Sequence, residues 1–304
     1  MHDPHAVNSL IETPGADPVQ GQVRWSPALS LWNGGMAGGT VLLGPLTFSS
    51  GALLVFVLTT GATLLLGHSV GFHRRLIHRS FECPLWLERI LVWFGTIVGM
   101  SGPHGIIRTH DLRDWAQRKP ACHPYLSHRS PMLKDAWWQM HCRLELAHPP
   151  AFALGRAGRD RFYRFLETTW MVQQLPIAAL LFWAGGWGFV VWGVCARVAI
   201  SVHGHWFVGH LAHTSGPQHW LVDGAGVQAH DVPWAGFVTM GEAWHNNHHA
   251  FPGSARIGLY PGQSDLGFGF IRLLERTGLA WDVRTPDASP ERIDRLQQVE
   301  KFYA

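Results

Sequence analysis

The sequence predicts an all-α integral membrane protein: four transmembrane helices in two hairpins, an interfacial helix, and a helical cytosolic cap with a histidine-rich metal site. Only 15% of the 304 residues are charged, against about 25% in a typical soluble domain. Two long regions lack almost all charge, and many of the 20 histidines lie near their ends. We therefore expect a polar N-terminal tail at 1–27, a membrane domain at 28–285 and a C-terminal tail at 286–304.

The predicted spans form two pairs. Residues 28–48 and 51–72 contain no Asp, Glu, Lys or Arg, and each has the length of about 20 residues that crosses a bilayer. Residues 168–186 and 187–210 form the second pair, which contains Arg197. An ionisable group within a membrane helix is costly and by default faces the interior of the bundle or a site.

Charge also predicts the orientation. The short connections at 49–50 and 184–188 carry no charge, whereas arginines flank the opposite ends of the spans. The positive-inside rule then places both termini and every histidine cluster on the cytoplasmic side. A further apolar run at 87–107 begins with charged residues and ends at a Gly-Pro-His break, which favours an interfacial or cavity-lining helix.

Histidines recur where the first pair of spans ends. His73 and His78 follow the second span, five residues apart. A regular helix turns those two rings about 140° apart, so the helix must unwind between them or the two metals must lie on different sides. Further along, His110 and Asp114 stand at i and i+4 and share one helix face.

The second group of histidines lies at and after the last span. His245, His248 and His249 are spaced i, i+3 and i+4, which presents three imidazoles to one side of a helix. His210 and His213 lie at the inner end of the last span. Neutral imidazole suits zinc, copper, iron and nickel, so ligand type alone does not name the metal. More than six candidates exceed the four ligands of a structural zinc, which predicts two metals.

The stretch GEAWHNNHHAFP (241–252) resembles the membrane-bound fatty acid desaturases, most closely the acyl-CoA Δ9 (stearoyl-CoA) branch. It matches that branch's GE-x-x-HN-x-HH-x-FP pattern almost position by position. FVGHLAHTSG resembles the segment that supplies a further ligand histidine, here His213, and GLAWD (278–282) resembles a phrase near the C-terminus. The resemblance covers about residues 28–285.

The resemblance implies an O₂-dependent desaturase that inserts a cis double bond into a long acyl chain, carried as acyl-CoA or acyl-lipid, at a di-iron centre. It also implies an external electron donor, either ferredoxin or cytochrome b5-like. The metal ligands that it implies, with two added candidates placed last, are His73, His78, His110, His213, His245, His248, His249, Asp114 and His210.

The chain departs from the family at the second histidine box. The family's second box has the pattern H-x-x-H-H, whereas this chain has His110 followed by Asp-Leu-Arg113-Asp114. Asp114 can offer a carboxylate oxygen, but the guanidinium of Arg113 stays protonated and cannot ligate a metal. The asparagine that holds a water in the family falls at Gly209. Full occupancy of the second iron site is therefore left open.

Three explanations of the altered box remain. One metal is under-coordinated, or the second metal differs, or a nearby histidine compensates. The candidates for a compensating histidine are His123, His128 and His210.

The chemistry fits a membrane location. No side-chain base can open an unactivated methylene C–H bond, so a redox metal that activates O₂ is required. Acyl chains partition into lipid by about 0.8 kcal/mol per buried CH₂. Arginines can bind the phosphate of a CoA or phospholipid headgroup. The candidate substrate contacts are Arg74, Arg113, Trp115 and Asn246.

Composition also limits the partners. A net charge of +3 is too small to indicate nucleic acid. No GxGxxG, P-loop or HPGG motif is present, so electrons should come from a separate protein. Two alternatives stay open: a hydroxylase of the same fold, which product mass would separate, and a non-enzymatic membrane metal- or haem-binding protein, which a visible spectrum would reveal.

Overall fold

The computed structural model describes residues 9–286 and 296–301, and helices make up most of it. α2 continues without a break into a π-helical segment (Thr63–Ile77), and a second π-helical segment (Val191–Ala196) joins α9 to α10. The helices are α1 (Pro27–Leu43), α2 (Ser50–Ala62), α3 (Leu85–Ile97), α4 (Pro103–Gln117), α5 (Pro124–Ser127), α6 (Met132–His141), α7 (Gly155–Arg159), α8 (Arg161–Thr169), α9 (Gln174–Val190), α10 (Arg197–Ala212), α11 (His245–Ala250) and α12 (Leu266–Arg276).

Six short strands among the described residues correct the all-α prediction. They form three antiparallel pairs, β1 with β4, β2 with β3 and β5 with β6. The sequence CRLELAH of β3 alternates apolar and polar residues, as half-buried strands do, and Val23 of β2 lies opposite its Leu144. The strands are β1 (Leu10–Ile11), β2 (Asp17–Trp25), β3 (Cys142–His148), β4 (Ala151–Phe152), β5 (Gln218–Val222) and β6 (Leu296–Lys301).

These pairings also change the expected tails. β1 and β2 lie within the segment predicted as an N-terminal tail, and part of the predicted C-terminal tail forms β6. Residues 1–8, 287–295 and 302–304 of the two expected tails lie outside the described residues.

Within residues 9–286 and 296–301, two helical stretches are long and apolar enough to cross a membrane, Ser50–Ile77 and Gln174–Ala212. The second stretch is not straight, because Gly185 and Gly186 leave helical geometry and Gly186 has a φ of 69°. A Cβ built on Gly193 would lie 2.6 Å from Leu181 Cδ1. Residues twelve apart in a straight helix are about 18 Å apart. The chain therefore reverses here, as the sequence predicts for 184–188.

The two hairpins pack side by side in the same direction. A Cβ built on Gly188 would lie 3.1 Å from Thr47 O, which brings the turn of one hairpin to the turn of the other. At the opposite end, the rings of His68 and His205 lie 4.8 Å apart, centroid to centroid. Both uncharged turns thus lie at one end of the bundle, and the histidines lie at the other.

The buried Arg197 lies inside this bundle, as expected for a charge on a membrane helix. Its Nε donates to Gly193 O at 2.7 Å. The other guanidinium nitrogens donate to Ile97 O and Gln174 Oε1. The side chain therefore ties the end of α3 to both arms of the second hairpin.

Two glycines let the π-helical segment pack closely against α3. A Cβ built on Gly71 would lie 2.3 Å from Leu91 O, and one on Gly67 would lie 2.4 Å from Phe94 C. Both neighbours are backbone atoms, which cannot move aside cheaply. These contacts fix the position, along the helix axis, of the histidines that follow on the same helix.

Gly71→Ala is therefore expected to destabilise the protein by about 1–3 kcal/mol, because overpacking forces the backbone to shift. Gly61→Ala is the matched control, since nothing lies within 4 Å of the built Cβ on the same helix and alanine favours helix over glycine. Thermal unfolding in detergent measures both variants. Equal midpoints for the two would contradict the close-packing argument.

Candidate metal centre

A change of helix type brings His73 and His78 together. The His78 N–H donates to His73 O at 3.1 Å, an i to i+5 bond of the π-helical kind. Residues five apart then lie one above the other, and the two ring centroids are 4.8 Å apart. The helix therefore unwinds between His73 and His78, as the sequence required if both rings were to share a site.

The first cluster contains His73, His78, His110 and His248. Their ligand nitrogens all lie within 4.8 Å of one another. His73 Nε2 lies 3.2 Å from His248 Nε2, and His78 Nε2 lies 3.2 Å from His110 Nε2. The π-helical segment, α4 and α11 therefore deliver one site from three distant parts of the chain.

The second cluster contains His213, His245 and His249. His245 Nε2 lies 3.3 Å from His213 Nε2 and 3.1 Å from His249 Nε2. The clusters are neighbours, because the ring centroids of His245 and His248 lie 5.7 Å apart. α11 supplies both clusters from alternate sides of one helical turn.

These distances fit ligands of a shared metal ion. Two nitrogens bound to one ion at about 2.1 Å, with angles of about 90–109°, lie about 3.0–3.4 Å apart, and the closest pairs lie 3.1–3.3 Å apart. A haem with two axial histidines would need a porphyrin plane between facing nitrogens, and these gaps leave no room for one. Imidazole ligands suit iron among other transition metals.

Burial favours the ligating form of these rings. Desolvation, with the neighbouring histidines, lowers the pKa of His248 and His213 well below the usual range. Burial also lowers the pKa of His245 to about 3. A neutral imidazole has a free lone pair, so the rings are prepared to bind metal at neutral pH.

A buried carboxylate network surrounds the first cluster. Glu242 pairs with His73 Nδ1, accepts from Ser69 Oγ at 2.6 Å and pairs with Arg74 at 2.7 Å. Arg74 also pairs with Asp265 at 2.8 Å. A carboxylate on the far nitrogen of a ligand histidine fixes its tautomer and raises its basicity. Glu242 therefore orients His73.

This network corrects the role predicted for Arg74. Its side chain is 1% exposed, and its donors reach Glu242, Asp265 and Ala255 O. No donor faces a headgroup, so Arg74 stabilises the core beneath the cluster.

Asn246 is corrected in the same way. Its Oδ1 accepts from the backbone N–H groups of His219 and Trp220, at 2.8 and 2.9 Å. Its Nδ2 donates to Trp220 O and Ala229 O, both at 2.8 Å. The amide is fully used in fastening β5 to α11, which sets the position of the flanking ligands.

The altered second box lies apart from the ligand groups. Asp114 accepts from Arg118 Nε at 3.2 Å and belongs to neither cluster, so the structure does not place it as a ligand. Arg113 donates to Gln139 Oε1 at 2.8 Å. Trp115 packs in a small core with Leu126 and offers no open face for substrate. Of the predicted substrate contacts, Arg113 alone stays a candidate.

His210 also lies outside both clusters, contrary to its prediction as a ligand. With His128 it flanks Asp135 Oδ2, at 2.9 and 2.8 Å respectively, and Trp206 Nε1 donates to the same oxygen at 2.9 Å. Burial alone would raise the pKa of Asp135, but these hydrogen bonds hold it well below its usual range.

Sequence reasoning assigned no role to Glu242, Asp135 or Asp231. Glu242 lies three residues before the first histidine of its motif, a signal that was available. Asp135 lies in an ordinary helix and gives no sequence signal. Asp231 accepts the Asn246 N–H at 2.9 Å, and burial raises its pKa to about 7. His123, a candidate to compensate for the altered box, instead caps α5 by accepting from Tyr125 N at 3.1 Å.

The fold and the two clusters define a protein with membrane-length helices and histidine groups that could hold metal ions. A sequence model of the fatty acid desaturase family matches residues 49–256. The sn-1 stearoyl-lipid 9-desaturase of Anabaena variabilis is 35% identical over 78% of this chain and 84% of its own length.

Plant relatives agree with this match. The Delta-9 acyl-lipid desaturase 2 of Arabidopsis thaliana is 34% identical over 83% of this chain and 80% of its own. An acyl-CoA 5-desaturase of Anemone leveillei is 30% identical over 92% of this chain and 89% of its own. The chain belongs to the fatty acid desaturase family and is an oxidoreductase of that class.

Proposed function

We propose that this protein inserts a cis double bond into a long acyl chain in an O₂-dependent reaction at a di-iron centre. One observation carries the proposal: seven histidines from four segments of the chain converge as two neighbouring clusters. The relatives' names, which describe desaturases of stearoyl-lipid, acyl-lipid and acyl-CoA substrates, support the same class of substrate.

One iron would be held by the four histidines of the first cluster and the other by the three of the second. Iron bound there supplies the activation of O₂ that removal of hydrogen from a methylene pair requires. The chain's own residues hold the ligands in place. Glu242 keeps His73 in one tautomer and orientation, and Asn246 fastens α11, which carries His245, His248 and His249.

Burial excludes water from the centre. His248 is 4% exposed and His213 is 5% exposed, so little solvent reaches the nitrogens that face each other. Exclusion of water from a redox site limits side reactions and strengthens electrostatic effects within it. An acyl chain held in a fixed position would present one methylene pair, rather than its neighbours, to the metal centre for removal of hydrogen.

Four membrane spans are part of the proposal. Large apolar side chains on all four bundle helices are exposed, among them Leu31 at 77%, Leu58 at 62%, Trp183 at 85% and Ile200 at 54%. Exposed apolar surface of this extent indicates contact with lipid or protein. With α1 as a span, and with Gln174–Ala212 counted as two spans because it reverses at Gly185 and Gly186, the chain crosses the bilayer four times and both uncharged turns lie on its far side. The termini and the metal centre then face the cytoplasm.

A pocket at the second cluster is a candidate place for the substrate headgroup or the electron donor. It reaches His249 and is lined in part by Gln117, Arg118, Val227 and Gln228. Arg118, which directly follows α4, supplies positive charge for a phosphate group there. Electrons would come from an external ferredoxin or cytochrome b5-like protein, and the acyl group from a CoA ester or a membrane lipid.

Expression in a host with few unsaturated lipids, followed by fatty acid analysis, tests the proposal. We expect a new monounsaturated species in cells with the native chain and none with His245→Ala. A product heavier by one oxygen would indicate a hydroxylase instead. A protein that contains iron and yields neither product would refute the proposed function.

A further inference from the structure

We propose that His128 is the fourth histidine ligand of the second metal cluster, through its Nε2 atom. The inference rests on the proposed function, because the ion concerned is an iron of the proposed di-iron centre. The first cluster has four histidines and the second has three. The altered second box leaves the second cluster one imidazole short of the first.

His128 lies against the second cluster. Its ring stacks on that of His213, with centroids 5.2 Å apart and planes 20° from parallel. The residue is 1% exposed. Its Nε2 is buried and has no hydrogen-bond partner among the described residues. Buried polar atoms in folded proteins nearly always have a partner, so this nitrogen requires one that the described part of the chain does not supply.

The opposite nitrogen of the ring is already fixed. His128 Nδ1 lies 2.8 Å from Asp135 Oδ2, which also accepts from Trp206 Nε1 at 2.9 Å. An indole nitrogen can only donate, so this oxygen is an acceptor and His128 Nδ1 carries the proton. Nε2 then has the free lone pair. A carboxylate on the far nitrogen is the arrangement in which protein histidines bind metals.

His128 is the residue that ends α5. His128 has φ 55° and ψ 16°, in the left-handed region that non-glycine residues seldom adopt. Gly209 leaves the space before the ring open, because a Cβ there would lie 4.0 Å from His128 Nε2. A longer side chain at 209 would reach the nitrogen and compete with a metal for it.

A separate third metal among His128, Asp135 and His210 does not fit. His128 and His210 both direct Nδ1 to the same oxygen of Asp135. These atoms are therefore already paired in hydrogen bonds and are not free to bind a metal. Asp135 therefore positions His128, and His210 only shares the same carboxylate oxygen. His128 Nε2 is the atom left to bind an ion.

Iron content of purified variants tests the inference, with His128→Gln and His210→Gln as a matched pair. Both lose an imidazole on Asp135, but only the first loses a free nitrogen. We expect two iron ions per chain in the native protein and in H210Q, and one in H128Q. Mössbauer spectra of iron-loaded samples should show that H128Q loses one of two signals.

Combined variants identify which ion is lost. H128Q together with His249→Ala should still hold one iron, because both changes affect the second cluster. H128Q together with His78→Ala should hold less than one, because each cluster is then damaged. Should H128Q fail to fold, His128→Cys replaces it. A thiolate ligand to ferric iron would add a charge-transfer absorption band in the visible region.

Several results would overturn the inference: two irons in H128Q, equal iron loss in H210Q, a single iron in the native protein, or H128C without the thiolate band. None of these measurements requires substrate. A native protein that holds two irons but makes no unsaturated product would contradict the proposed function and leave the role of His128 intact.

Discussion

His248→Ala is expected to lower desaturation by more than about 100-fold, since even residues that only orient ligand histidines cost about 10–100-fold when removed. His248 lies at the centre of the site. Its Nε2 is 3.2 Å from His73 Nε2, and its ring centroid is 4.7 Å from that of His78. Alanine leaves the first cluster with three histidines and opens a gap between the two clusters.

The measurement is the ratio of unsaturated to saturated product in cells, together with the iron content of the purified protein. His148→Ala is the control, because this histidine lies exposed at the end of β3, away from both clusters. Its activity should stay within about twofold, as surface substitutions rarely matter. Native-like product levels in His248→Ala would show that the first cluster is not the catalytic metal site.

Arg74→Met is the second change with a large expected effect, about 3–5 kcal/mol of destabilisation, because it leaves buried carboxylates without their counter-charge. Glu242 and Asp265 are 11% and 6% exposed at their side chains. Each would lose its guanidinium partner. The same change frees Glu242 to move away from His73, so iron should also be held less tightly.

The control is Arg272→Met on α12. Arg272 pairs with Glu275, but their side chains are 47% and 32% exposed. Exposed pairs contribute about 0–1 kcal/mol. Thermal unfolding in detergent compares the two, and about 2–4 °C per kcal/mol is usual for a chain of 150–250 residues. A small shift in Arg74→Met, with weaker substrate binding, would restore Arg74 to a headgroup role.

Apolar length and histidine spacing were enough to predict the helices that carry the site. The run at 51–72 corresponds to α2 and the π-helical segment after it, and the run at 187–210 to the end of α9, the second π-helical segment and α10. The break before α4 lies where Gly-Pro-His indicated. That His73, His110 and His248 would meet in one cluster followed from one assumption: the inner ends of both hairpins face the same side of the bilayer.

The remainder could not be predicted because it depends on contacts between distant segments. β2 forms by pairing with β3, which lies more than a hundred residues away in the chain. The local sequence of β2 therefore did not identify it as a strand. The partners of Arg74 and Asn246 are set by the fold, so both residues seemed free to bind substrate. The role of Asp135 depends on tertiary contacts, because α6 and α10 pack together around His128.

The π-helical segment limits where this chain can change in length. Adding or removing one residue between Thr63 and His73 would rotate both following rings by about 100° relative to α4, and no surface loop lies between to absorb the shift. The turn at Pro45–Thr47 lies at the far end of the bundle. Insertions and deletions should therefore be tolerated at that turn and excluded on the approach to His73.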